Sequence, residues 1–308
     1  MGILLGLLTA LTWGGSDFIG RFAARRIGPL RTALYMQVSG LVLLTIFLQW
    51  VGGWGHLIDG SGWLPWAWGA LAGVVNGIST LALYRSFEVG KLAVVAPISA
   101  SYPALTVVLS VFTGERLTVI RAVGVLVILI GVVIVVRGEA ESATTTVGSP
   151  ESDPESKNNA YKTASGVGKP ASGVGAALIS AVGFGLLFWL LGNRAVPRVG
   201  FAATVWLIRL TCSVFTALAV LIMKQPISLP RRDPGVLWVL SMGFLDTGAF
   251  VLNNLGMRLE QVSVVSVLAS LYGAVTVLLS AVVLRERMSG WQWLGIVAIF
   301  AGIGLISL

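Results

Sequence analysis

Apolar residues run through this chain in ten stretches, each long enough for the roughly 20 residues that cross about 30 Å of hydrocarbon. They cover approximately 2 to 20, 32 to 51, 64 to 84, 92 to 114 and 118 to 136 in the first half, and 172 to 193, 200 to 223, 235 to 256, 261 to 284 and 289 to 307 in the second. Each predicts a membrane helix. The polar joints are short except one: residues 138 to 171, rich in Ser, Thr, Gly, Pro and charge, have no periodic apolar face and predict a flexible linker without a fold. The pattern divides the chain into a five-helix unit at 1–137, a linker at 138–171 and a second five-helix unit at 172–308.

The two units are copies. A shift of 170 residues lays Val94, Val95, Tyr102, Ala104, Thr106, Leu109 and Ser110 on Val264, Val265, Tyr272, Ala274, Thr276, Leu279 and Ser280. One inserted residue then lays Glu115-Arg116 on Glu286-Arg287, and Gly124 and Gly131 on Gly295 and Gly302. Repeat architecture outranks local propensity in deciding a fold. Five spans per copy is an odd number, so a linker that stays on one side makes the second copy enter the membrane the opposite way. The expected fold class is therefore an all-α membrane protein, ten transmembrane helices as two inverted five-helix repeats. In such folds substrate sites lie near the midplane where the repeats meet. The repeated fourth span, with Pro97 and Pro103 in the first copy and Val267 and Gly273 in the second, is the first candidate for a cavity wall, because a broken helix at membrane depth borders protein or water.

Composition agrees and removes several alternatives. The chain is 56% hydrophobic and 11% charged with a mean hydropathy of +0.89, outside the range of soluble domains. One histidine, His56, and one cysteine, Cys212, supply neither a disulfide nor a His/Cys metal site. No metal, cofactor or catalytic residue is expected, nor is an enzyme. No G-x-x-x-x-G-K-[ST] motif occurs that would mark a nucleotide motor. The net charge of +8 is spread over loops rather than gathered on one face, which speaks for membrane orientation and against nucleic acid. Residues 1 to 16 are uncharged and run into an ionic segment, so the first helix is expected to be retained. Fifteen of the 21 basic residues fall in the joints after odd-numbered spans, five on the other side, and Arg209 within a span. By the positive-inside rule the fifteen are cytoplasmic and both termini lie outside, with the Trp-rich joint from Trp50 to Trp68 at the outer surface.

Ionisable groups inside a span are costly and are functional candidates by default. Asp17, Arg209 and Asp246 are three such groups. Asp17 has Arg21 one turn onward as a structural partner. Asp246 lies opposite Asn76 under the repeat and has two open roles: an ion pair with Arg209 that ties two spans together, or a place in the cavity, where it would bind a proton or a substrate amine while Arg209 holds a carboxylate. Trp13, Ser16, Tyr84, Ser99 and Tyr102 in the first copy, with Asn253, Asn254 and Tyr272 in the second, complete the candidate lining. Such aromatic, hydroxyl and amide groups suit a small amphipathic metabolite. Gly69, Gly73 and Gly77 form a ridge for close helix packing, and Glu115-Arg116 with Arg285-Glu286-Arg287 read as interfacial caps and loop salt bridges, with a gate as the alternative.

TWGGSDF in the first span, LALYRSFEVG at the end of the third, VVAPISASYPALTVVLSVFTGER in the fourth and the paired glycines of the fifth together resemble the EamA type of the drug/metabolite transporter superfamily. The resemblance covers both halves and leaves out the linker. It implies a ten-helix bundle with inverted repeats, a central cavity, and export or exchange of small metabolites such as amino acids. On this sequence it points to Trp13, Tyr84, Pro97, Tyr102 and Glu115; in the second copy Phe184, Asn254, Val267 and Gly273 stand where the pattern has other residues. Members of the family often keep both termini in the cytoplasm, whereas the charge count here puts them outside. The expected partners are a small-molecule substrate, membrane lipids and protons as a candidate coupling ion. A duplicated chain completes its own bundle, so a monomer in the plasma (inner) membrane, crossing it many times, is expected. A reporter active only in the cytoplasm is expected to stay silent when fused to either end of the chain, and activity at either end would reverse the orientation.

Overall fold

A computed structural model describes all residues except 52, 115–117, 148–172, 227–233, 260–261, 287 and 307–308. Its regular elements are all helices: α1 (Gly2–Ile27), α2 (Pro29–Val51), α3 (Leu64–Val89), α4 (Leu92–Ala100), α5 (Pro103–Phe112), α6 (Val119–Val147), α7 (Val174–Leu190), α8 (Val196–Val199), α9 (Phe201–Ile222), α10 (Pro234–Leu259), α11 (Val262–Ser270), α12 (Tyr272–Leu279) and α13 (Gly290–Ile306). Among the described residues, 9 helical segments are long and apolar enough to cross a membrane, and Gly290–Ile306 is a shorter apolar helix. This is the form that hydrocarbon demands, since a helix satisfies its own backbone groups. Leu11, Ile46, Leu126, Val182, Leu218 and Val297 are all more than half exposed on the outside, a surface that suits lipid tails. The helix α6 runs to Val147, past the 138 boundary expected for the linker; the remainder of that linker, like Glu115, Arg116 and Arg287, lies outside the described residues.

The fourth span of each copy is two helices in line. In the first copy α4 and α5 meet at Ser101 and Tyr102, where Pro103 opens the next helix without an amide hydrogen to give. The second copy has no proline there, yet α11 and α12 break at Leu271. Both joints are tightened by the same bonds three residues apart: Ser101 N to Ile98 O and Ala104 N to Ser101 O at 3.2 Å each, Leu271 N to Leu268 O at 3.2 Å and Ala274 N to Leu271 O at 2.9 Å. Such a tighter turn swings the following helix. It leaves Tyr102 and Tyr272 at matching joints.

Packing between the copies is reciprocal. The helix α1 lies on α10, α11 and α12 of the second copy, and its counterpart α7 lies on α3, α4 and α5 of the first. The fifth spans close the bundle: a Cβ at Gly124 would stand 2.8 Å from Gly302 O, and one at Gly131 2.8 Å from Gly295 O. The rising number on α6 meets the falling number on α13, so these equivalent helices are antiparallel. Gly69, Gly73 and Gly77 on α3 face Leu207, Thr211 and Phe215 on α9, and there the order rises together. With no hydrophobic drive between helices in lipid, such close backbone approach is what holds them. Replacing Gly131 with Leu is therefore expected to destabilise the purified protein by about 1–3 kcal/mol or more, read as a lower melting temperature in detergent. Gly175→Leu, where a Cβ meets nothing within 4 Å, is expected to leave it unchanged; equal melting of the two variants would refute the crossing.

Candidate functional site

Both copies contribute to one cavity. Its walls are Trp13 and Asp17 on α1, Met36 on α2, Asn76, Thr80, Leu83 and Tyr84 on α3, Tyr102 at the first joint, Phe184 and Phe188 on α7, Asp246 and Phe250 on α10, and Tyr272 at the second joint. Three pairs related by the repeat face this space together: Trp13 with Phe184, Asn76 with Asp246, and Tyr102 with Tyr272. The open room is about 30 Å³, enough for roughly two waters at 10–15 Å³ each. Aromatic side chains fill most of the space between the copies. The Tyr102 ring stacks on Phe188 with centroids 4.6 Å apart and lies parallel to Tyr272 at 6.5 Å. Trp13 stands edge-on to Phe250 at 5.0 Å and to Phe188 at 5.7 Å.

Two carboxylates reach this space, and they are answered differently. Asp246 is ion-paired with Arg209, the structural one of its two expected roles, and it also stands in the cavity wall. Arg209 itself has no exposed surface and sits behind Asp246, donating to Gln37 Oε1 at 2.6 Å and lying 5.3 Å over the Phe250 ring. It is not a cavity wall. Room for the guanidinium comes from Gly40 on α2, where a Cβ would stand 3.2 Å from Arg209 Nε and 2.2 Å from Thr247 Oγ1. Gln37 was missed by sequence reasoning centred on ionisable groups, although an amide within an apolar run is itself a signal that something polar lies opposite.

Asp17 is 6% exposed. The expected pairing with Arg21 does not form: Arg21 is ion-paired with Glu286, beyond the end of α12, and also donates to Gly90 O at 3.4 Å. Glu286 accepts in addition from Ala93 N at 3.0 Å and Ser280 Oγ at 2.8 Å. Spacing along α1 put Arg21 within reach of Asp17, but a second-copy carboxylate lies closer to it than its own helix neighbour does. The result is a latch that joins α1, the start of α4 and the end of the second copy's broken span. Arg25 strengthens the same end by donating to Phe87 O and Gly90 O at 3.3 and 3.0 Å.

The remaining candidates lie outside the cavity wall. Ser16 is buried on α1, and Ser99 is buried on α4 with no partner for its hydroxyl. Asn253 Nδ2 donates to Met257 Sδ at 3.7 Å and Asn254 Nδ2 to Phe201 O at 3.1 Å, both away from the centre. Wall residues without a polar group, Met36, Leu83, Phe188 and Phe250, carried no signal in a search for polar positions, and Thr80 was one of many hydroxyls.

The model of the EamA-like transporter family matches residues 1–137 and 171–308. An uncharacterised protein of Methanocaldococcus jannaschii is 31% identical over 134 residues, which are 43% of this chain and 93% of that protein. That relative is thus about as long as one of the two matched units. A solved crystal structure is alike over 99% of this chain and 95% of its own, at 19% identity and a TM-score of 0.66, which shows a shared fold.

Removing one partner of a buried ion pair strands the other charge at a cost of about 3–5 kcal/mol. Asp246→Ala is accordingly expected to lower the melting temperature of the purified protein sharply, and Asp246→Ala with Arg209→Met to restore most of the loss. A double variant no more stable than the single one would mean that the pair does not hold α9 to α10.

Proposed function

Because the chain belongs to the EamA-like transporter family, in the drug/metabolite transporter superfamily, we propose that it is a secondary transporter of the plasma membrane that moves a small organic metabolite outward by alternating access. The observation that carries this is the contracted cavity between the two copies, with Asp17 and Asp246 in its wall and the Arg21–Glu286 latch across one end. Such a centre suits a carrier: its aromatic walls could open to admit a solute, and the Asp246–Arg209 pair is held from behind.

The reading takes the two five-helix units as inverted repeats. Support comes from the antiparallel run of α6 and α13 at their glycines and from the reciprocal packing of α1 and α7. The fourth spans also oppose each other, with Gly273 beside Ala96 and Ala100 and Tyr102 donating to Ser266 O at 3.0 Å. A pair of opposed copies supplies two equivalent ways to open the same centre, one to each side. By the charge count the latch lies at the cytoplasmic end. Its release, with turning about the joints at Tyr102 and Leu271, would open the cavity inward.

Alternating access is testable before any substrate is known. In a Cys212→Ser background, Thr80→Cys places a thiol in the cavity wall for a membrane-impermeant maleimide applied from either face. Glu286→Gln is expected to raise labelling from the latch side several-fold and to lower it from the other. A pore would gain from both sides together, and a solid bundle from neither; either result would overturn the carrier.

A further inference from the structure

The charges of the cavity do not cancel. Arg209 answers Asp246 and is itself enclosed by Gln37, Met36 and the Phe250 ring. Nothing answers Asp17: among the described residues no hydrogen bond or ion pair reaches its carboxylate, although it is more than nine-tenths buried and lines the cavity. The next cation along α1, Arg21, is held by Glu286. The groups facing Asp17 from the elements around it are Asp246 on α10 with Arg209 behind it on α9, Tyr84 on α3, Tyr102 at the first joint and Tyr272 on α12. None of these brings a free positive charge.

The other vacant valences agree. Asn76 turns its amide nitrogen to Cys212 Sγ at 3.4 Å, and the thiol donates onward to Gly73 O at 2.9 Å. Asn76 Oδ1, which can only accept, is left buried without a donor, and so is the Tyr272 hydroxyl without a partner. Apart from Met36, Thr80, Leu83 and the paired Asp246, the rest of the wall is aromatic. A carboxylate placed here would meet no cation of its own, whereas an ammonium would meet an anion, an amide oxygen and ring faces that attract positive charge.

We propose that this cavity takes an organic monocation, an ammonium group on a flat apolar body, and that Asp17 holds the cation in alternation with a proton. The proposal rests on the carrier reading and names its substrate class. Its physical basis is the high cost of carrying an unpaired carboxylate in a low-dielectric interior. Asp17 is neutralised by the cation on one stroke and by a proton on the return, so each cation bound displaces one proton and the exchange moves no net charge. A zwitterion is disfavoured because its carboxylate would face Asp246 with Arg209 already committed. The stacked rings of Phe188, Tyr102 and Tyr272 now occupy the space that the ligand's flat body would take.

Three probes share one aromatic body and differ in charge: trimethylphenethylammonium, which is permanently cationic and crosses membranes poorly, phenylalanine, and phenylacetate. With the purified full-length chain in weakly buffered detergent solution, the cation is expected to bind at least about tenfold more tightly than either other probe, a difference of about 1.4 kcal/mol. Its binding is expected to weaken as the pH falls and to release close to one proton per cation at the acid end of that range. In proteoliposomes, an acidic interior is expected to drive uptake of the labelled cation. Asp17→Asn is expected to abolish proton release and driven uptake, and Asp17→Glu to retain both. Where Asp17→Asn fails to fold, the ranking of probes and the proton count of the unaltered protein still decide. Tighter binding of phenylalanine or phenylacetate, no detectable binding of the cation, or proton release that survives in folded Asp17→Asn would overturn the proposal. Those outcomes leave the two-sided labelling of Thr80→Cys standing, whereas failure of that labelling removes the carrier itself.

Discussion

An ionised group in the middle of a bilayer has no water to turn to, and the interior of this protein is arranged around that constraint. Arg209 is the largest fully enclosed side chain, and every element near it makes an accommodation: α10 offers Asp246, α2 offers Gln37 and gives up a side chain at Gly40, and Phe250 lays its ring beneath the guanidinium. Because a buried charge is far costlier alone than paired, the pair acts as a fixed post that ties α2, α9 and α10 to one another. The cavity is built against that post. Asp246 is thereby paired, and Asp17 stands in the same wall with no hydrogen bond or ion pair among the described residues.

The same constraint explains why the repeated spans matter more than the continuous ones. Breaking a helix inside hydrocarbon is tolerated only where the freed backbone is covered by protein or faces a cavity. Both breaks do so here, and both put a tyrosine at the joint, so the two copies meet through rings lying parallel to each other. At the latch end, Glu286 gathers Arg21, Ala93 N and Ser280, and so one carboxylate senses α1 and both broken spans. Divergence between the copies has given this symmetric frame its chemistry. Asn76 stands where the second copy has Asp246, and Phe184 where the first has Trp13, so the two halves of the wall are not identical.

Much of this was legible in the chain before any coordinates. Ten apolar runs, the repeat displaced by 170 residues and the glycines at matching positions determined a helical membrane bundle in two copies, because bilayer thickness and backbone hydrogen bonding leave few alternatives for such a pattern. The matching of Tyr102 with Tyr272 and of Asn76 with Asp246 also followed from the duplication, and that of Trp13 with Phe184 from the family resemblance. Tertiary structure decided everything that depends on which face of a helix turns inward. It sent Arg21 to Glu286 rather than to Asp17, buried Arg209 behind Asp246, moved Asn253 and Asn254 off the cavity wall and filled most of the hollow with rings. The physical reason is that spacing along one helix fixes only neighbours three and four residues away, whereas in a packed bundle the strongest partner of a charge lies on another helix, and the choice among those partners is made by close contacts such as Gly40 that no single span announces.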